Sequence, residues 1–243
     1  MTNRAHVLLL DDATAVNELI ARELEAKLAC RVTAMTCVED LLASDDTTFD
    51  LALVDLSFAR CSLTGLDALC HLHETRPATR LAILTQGDEW VTDLLRVAWE
   101  ALPIATALSK SASLTALVDA VASLLDGEDV PPDPALQPLL PATRSMSRTL
   151  EGYGRLVQHA GHAKLWRALW SAPDEPSYRD IAAATGLSVH TVRNYRDQLL
   201  DALAAHGLTQ PTLHEMSRFA KLVRPLLRPH VEAKLTRAGI LPR

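Results

Sequence analysis

Residues 51–56 read Leu51-Ala52-Leu53-Val54-Asp55-Leu56, four apolar residues ending on a carboxylate. A short apolar run without helical periodicity reads as a strand buried on both faces. The pattern recurs outward in both directions. Upstream, His6–Leu10 ends in Asp11-Asp12, and Arg31–Met35 forms a further run. Downstream, Leu81–Leu84 ends in Thr85, and Ala105–Leu108 is followed, after Ser109, by Lys110. Helix-like patterns lie between the runs, near 14–28, 38–44, 65–74, 90–101 and 112–126. This alternation predicts an α/β doubly wound, five-stranded parallel sheet with helices on both faces and right-handed crossovers.

In an open sheet of this kind, ligands bind beyond the carboxyl ends of the strands. Asp11, Asp12, Asp55, Thr85 and Lys110 are therefore expected along one rim. Three carboxylates in one place repel unless a cation sits among them. Mg²⁺ suits such a site, because it prefers oxygen, needs few carboxylates and keeps waters for an incoming phosphoryl group. Asp55 is then the expected nucleophile, forming an aspartyl-phosphate. The Thr85 hydroxyl and the Lys110 ammonium would contact the phosphoryl oxygens. A solvated strand end accounts for any one of these residues, but not for the ordered set.

The segments Leu10-Asp11-Asp12, Val54-Asp55-Leu56, Leu84-Thr85-Gln86 and Ser109-Lys110-Ser111 resemble the motif of response-regulator receiver domains, over residues 5–126. The resemblance implies a flavodoxin-like fold, Mg²⁺ held by Asp11, Asp12, Asp55 and the backbone carbonyl of Ser57, and phosphorylation of Asp55 by a histidine kinase. Three departures stand out. The loop after Asp55 is about two residues longer than usual and lacks the common proline. Gln86 replaces a small residue. Ala107 stands where the family carries Tyr or Phe, the side chain that couples the phosphate to the dimer face. The last departure keeps a receiver controlled by a ligand or a protein, without phosphorylation, as a competing reading.

The charge is divided along the chain. Residues 1–140 carry 9 Lys/Arg against 22 Asp/Glu, a net −13, and residues 141–243 carry 15 against 8, a net +7. An acidic half suits a cation and a basic half a polyanion. Between the halves, residues 127–141 hold five prolines, which marks an interdomain linker without regular structure, assigned to 127–144. The expected domains are 1–126, an α/β receiver, and 145–243, an all-α DNA-binding domain with a basic C-terminal extension. Helices are expected at 145–159, 162–171, 177–184, 189–205 and 211–223.

Within 176–200, Gly186 suits a left-handed helix stop, Ser188 an N-cap, and Val192, Leu199 and Leu203 a buried face. His190, Arg193, Asn194 and Arg196 take the other face. Arg reads guanine and Asn adenine in the major groove, while Thr191, Tyr195, Arg196 and the helix start reach phosphates; the N-cap Ser188 is counted with them among the expected DNA-binding residues. Ile181-Ala182, Leu187-Ser188 and Thr191-Val192-Arg193-Asn194 resemble the core of the LuxR-type helix-turn-helix. That resemblance implies double-stranded DNA as partner and, with the receiver, a dimeric regulator of transcription. Residues 211–243 exceed what that family needs. The basic stretch 218–228 is expected either to contact phosphate or a second copy, or, as the slightly favoured reading, to pack on its own domain.

Cys30, Cys37, Cys61 and Cys70 form no C-x-x-C pair and are expected to be reduced thiols of a cytoplasmic protein. His159 and His162 lack a ligand pattern. Neither a signal peptide nor a membrane span is expected. No nucleophile–base pair suggests an enzyme. A signalling adaptor whose C-terminal helices bind protein or RNA is the remaining alternative.

Overall fold

A computed structural model describes residues 4–44, 48–59, 61–143 and 145–242. The chain divides into two compact units, residues 1–142 and 143–243.

The first unit alternates β1 (Ala5–Leu10), α1 (Thr14–Lys27), β2 (Cys30–Met35), α2 (Val38–Ala43), β3 (Leu51–Val54), α3 (Gly65–Thr75), β4 (Arg80–Thr85), α4 (Thr92–Ala101), β5 (Ile104–Ser109) and α5 (Leu114–Leu125). The strands form one sheet in the order β2-β1-β3-β4-β5, and every pairing is parallel. The order reverses direction at β1 and β3, so a crevice opens there between their carboxyl ends. Strand side chains alternate between the two faces. Val7, Leu9, Leu53, Ala82 and Leu84 join Ile20 and Leu24 of α1 and Leu117, Val118 and Val121 of α5 in one buried cluster. Leu8, Leu10, Ala52, Val54 and Ile83 are also fully buried, which is why these runs lack polar alternation.

The proline-rich segment differs from the expected tether. Residues 127–142 belong to the first unit. Proline cannot donate a backbone hydrogen bond, but its carbonyl can accept one. The Thr106 hydroxyl donates to the Pro131 carbonyl (3.1 Å), and the Asp133 N–H donates to the Ala107 carbonyl (2.9 Å). Arg96 Nε donates to the Leu139 carbonyl (2.9 Å). Leu136 is buried, and a short 3₁₀ turn, Gln137–Leu139, follows it.

The second unit is helical: α6 (Leu150–Tyr153), α7 (Ala160–Trp170), α8 (Tyr178–Thr185), α9 (Val189–Gln198), α10 (Leu200–Ala205), α11 (Leu213–Leu222) and α12 (Arg224–Arg237). Trp166 of α7 is fully buried, and its indole N–H donates to the Leu156 carbonyl (2.7 Å). The expected helix 145–159 is broken into short turns, and 189–205 is divided at Leu199. The C-terminal extension packs on its own domain. Leu226, Leu227, Val231 and Leu235 of α12 are buried, with α7 as the principal neighbour. No described helix is long and apolar enough to cross a membrane.

Candidate functional site: an acidic pocket and a basic helix

The ladder hydrogen bonds continue one residue past the strand ends. Asp11 N donates to the Met35 carbonyl (3.1 Å), Asp55 N to the Leu10 carbonyl (2.8 Å) and Lys110 N to the Thr85 carbonyl (2.9 Å). The sheet thus lays Asp11, Asp55, Thr85 and Lys110 side by side at its carboxyl edge. Lys110 Nζ lies 2.6 Å from Asp11 Oδ2 and 2.9 Å from Asp55 Oδ2. Asp55 Oδ1 accepts the Leu56 N–H (2.8 Å). Carboxylate oxygens of Asp11, Asp12 and Asp55 all lie within 4.8 Å of one another.

Asp11, Asp55 and Thr85 are buried. Above them is a cavity of about 260 Å³, lined by Asp12, Asp55, Ser57, Thr85, Gln86 and Lys110 among others. Exposed Trp90 stands at its lip.

Burial pushes the Asp55 carboxyl above the usual carboxylate range; Lys110 pulls it down and Asp11 adds to the rise. For Lys110, burial alone would lower the pKa, but the carboxylates of Asp11 and Asp55 outweigh it and raise it. With all four groups ionised, three carboxylates face one ammonium, leaving two negative charges uncompensated. A divalent, oxygen-seeking cation fits this donor set in charge and chemistry.

Residues that the sequence did not single out hold the pocket in shape. Ala59 N donates to Asp12 Oδ2 (2.8 Å), which ties the loop after Asp55 to the acidic pair. Asn17 is buried, and its amide donates to the Asp11 carbonyl. Gly65 opens α3 directly over Asp55. A Cβ there would stand 1.9 Å from the Asp55 carbonyl oxygen, so only glycine permits the approach. Part of the loop, at Arg60, lies outside the described residues.

In the second unit, α8 ends at Gly186 in the left-handed conformation (φ 68°, ψ 22°). The Leu187 N–H turns back to the Ala182 carbonyl (3.1 Å). Ser188 caps α9, its hydroxyl accepting the Thr191 N–H (3.0 Å). Val192, Leu199 and Leu203 are fully buried. This is a helix-turn-helix, with Ser188, His190, Arg193 and Asn194 exposed and Thr191 half-buried.

Two of the candidate DNA contacts sit otherwise than as simple outward groups. Tyr195 packs inward beside His159 and His162, with ring centroids 5.0 and 5.4 Å away. It also lies so close to Gly161 that a Cβ there would come within 2.5 Å of the Tyr195 ring. It anchors α9 on α7. Arg196 donates from Nη1 to the Tyr178 hydroxyl (2.8 Å), while the Arg193 guanidinium lies 5.1 Å from the centre of the same ring. Tyr178 thus positions both arginines. His159 is an N-cap, its Nδ1 accepting the Gly161 and His162 N–H groups. Burial, aided by His159, holds His162 down at about 4 against the hydrogen bond that its Nε2 donates to Gln198 Oε1.

No protein-family model matches the chain, and no curated protein matches it. Solved structures of response regulators do. A Thermotoga maritima response regulator, DrrB, is 18 % identical over 52 % of this chain and 55 % of its own, with a TM-score of 0.45. A LuxR-family DNA-binding response regulator from Silicibacter pomeroyi is 28 % identical over 54 % of this chain and 97 % of its own, with a TM-score of 0.43. The RcsB response regulator of Salmonella typhimurium is 18 % identical over 90 % of this chain and 99 % of its own, with a TM-score of 0.49.

Proposed function

We propose that the chain is a two-component response regulator. Asp55 accepts a phosphoryl group from a phosphohistidine of a histidine kinase, and the helical unit binds duplex DNA as part of a cytoplasmic homodimer that regulates transcription. The convergence of three carboxylates, a threonine hydroxyl and a lysine at one sheet edge carries this reading.

An Asp55 oxygen would attack phosphorus while the P–N bond to the donor imidazole breaks and the imidazole takes up a proton. Mg²⁺ held by Asp11, Asp12, Asp55 and the Ser57 carbonyl would neutralise charge on the phosphoryl oxygens. Lys110 exchanges its Asp55 contact for a phosphoryl oxygen, and the Thr85 hydroxyl donates to another. The chain's own part is to accept and hold the group rather than to turn over a substrate. In the helical unit, Arg193 and Asn194 are exposed where base edges would lie, and the net +7 favours the phosphate backbone.

A second reading, control without phosphorylation, draws on one contact. Ala107, in place of the aromatic residue, gives its carbonyl to Asp133 of the docked proline-rich segment, so this position is already engaged.

Incubation with acetyl phosphate and Mg²⁺ should shift the wild-type chain on a phosphate-affinity gel, with an acid-stable, hydroxylamine-labile adduct, and Asp55→Asn should abolish the shift. Undiminished labelling of that variant would sink the assignment. Arg193→Ala should weaken binding to a specific operator by about 1–3 kcal/mol, read by fluorescence anisotropy.

A further inference from the structure

Outside the acidic pocket, two thiols from distant parts of the chain meet. Cys37 is the residue before α2, just past the carboxyl end of β2, and Cys61 lies in the loop after β3. Their sulfurs are 2.9 Å apart, with the Cys61 thiol donating to Cys37. Cys37 donates in turn to Glu39 Oε2 (2.6 Å). Glu39 Oε1 accepts the Ser62 hydroxyl (2.9 Å) and the Ser62 N–H (3.3 Å). Both cysteines are half-buried, whereas Cys30 and Cys70 are buried.

We propose that Cys37 and Cys61 are an oxidation-sensitive pair that closes to a reversible disulfide, fastening the loop after Asp55 to the start of α2. A disulfide has a sulfur–sulfur distance of about 2.05 Å, so closure needs a shift of only about 0.9 Å from the observed contact. The same distance disfavours a metal between the sulfurs. Two thiolates on a tetrahedral zinc, each about 2.3 Å from the ion, stand roughly 3.8 Å apart. Both Glu39 oxygens are already engaged by Cys37 and Ser62.

The co-reactant is a peroxide. The Cys61 sulfur attacks a peroxide oxygen, the O–O bond breaks, water leaves, and Cys61 becomes a sulfenic acid. The Cys37 sulfur then attacks the Cys61 sulfur and its proton passes by way of Glu39. The S–O bond breaks, and the departing hydroxide takes that proton to form a second water. Two thiols are oxidised and one peroxide is reduced to two waters. The hydrogen bonds with Cys61 and Glu39 hold the Cys37 thiol up at about 11, so Cys37 rests as a thiol and the bridge closes faster in mildly alkaline solution. The bridge would act on the acidic pocket through the loop that carries Ser57 and the Ala59 N–H on Asp12.

The full-length chain is treated with hydrogen peroxide at pH 8.5 and thiols are counted before and after dithiothreitol. Two thiols should disappear and return on reduction. Tryptic peptides 32–60 and 61–80 should be found linked, since trypsin spares the Arg76–Pro77 bond, with fragment ions placing the bridge at Cys61. Cys37→Ser and Cys61→Ser should each abolish the link, while Cys70→Ser keeps it. A link that survives Cys61→Ser would overturn the proposal, as would over-oxidation of Cys61 with no link. Stoichiometric zinc in the reduced wild-type chain, lost in Cys37→Ser, would equally overturn it by making the cluster a metal site. None of these readouts depends on phosphorylation of Asp55, so each reading can fail without the other.

Discussion

At the scale of single residues, Asp55 sits under two opposed influences, burial raising its pKa and Lys110 lowering it, and burial prevails. A carboxyl whose folded pKa is raised favours the fold when protonated. That benefit is complete below the ordinary carboxylate pKa and is lost as pH rises through the raised value. Asn at this position stays neutral at every pH, while Lys110 keeps Asp11 as partner. Asp55→Asn should therefore melt higher than wild type at pH 7 in chelator. At pH 3 the two should melt together. Mg²⁺ should raise the wild-type Tm and leave the variant nearly unmoved, since the variant offers one carboxylate fewer. A variant that melts lower at pH 7 in chelator would show that the Lys110 ion pair outweighs the desolvation it opposes.

At the scale of elements, the proline-rich segment is a strap on the edge formed by β5 and α4. Its anchor is Leu136, seated against Gly87, where a Cβ would stand 2.5 Å from Leu136 Cδ2. Gly87 is two residues past Thr85 and has φ +78°, so the turn after Thr85 and the strap share a contact. Leu136→Ala should cost about 2–4 kcal/mol in urea unfolding and should speed proteolysis within 127–142; an unchanged midpoint would mean the strap contributes little. The strap also shows where the sequence stopped being informative. Apolar runs ending in Asp11, Asp55, Thr85 and Lys110 made the sheet, its strand ends and the pocket readable, because burial on two faces leaves no other place for polar groups. Proline density announces only missing donors; that Pro131 and Leu139 would lend their carbonyls to Thr106 and Arg96 depends on residues far along the chain. The inward turn of Tyr195 did leave a trace. Val192, Tyr195 and Leu199 are spaced three and four apart, the spacing of one buried helix face. Tyr178 left none, because its partners Arg193 and Arg196 lie on another helix. Cys37 and Cys61 both follow strand carboxyl ends, so the topology alone brings their loops to one edge.

At the scale of the whole molecule, the charge division sets how the chain meets a polyanion. The basic unit, net +7, has its own buried core around Trp166, Leu199, Leu203 and Leu227, so residues 143–243 should fold when produced alone. Non-specific affinity for duplex DNA comes from neutralised phosphates and falls linearly in log K against log salt. The acidic unit adds −13 to the same chain without supplying contacts to phosphate, and its field is screened over about 10 Å at 0.1 M salt and about 30 Å at 0.01 M. The isolated basic unit should therefore bind a random duplex more tightly than the full chain at low salt. The two curves should converge as salt rises past about 0.15 M, where screening shortens below about 8 Å. Tyr178→Phe, which removes the hydroxyl that Arg196 holds, should change discrimination between operator and random duplex more than it changes the salt slope. Anisotropy titrations of both proteins across that salt range test the argument. Equal affinities at low salt would mean that the acidic unit's field does not reach the DNA surface, and an isolated unit that binds more weakly would mean that the first unit supplies contacts of its own.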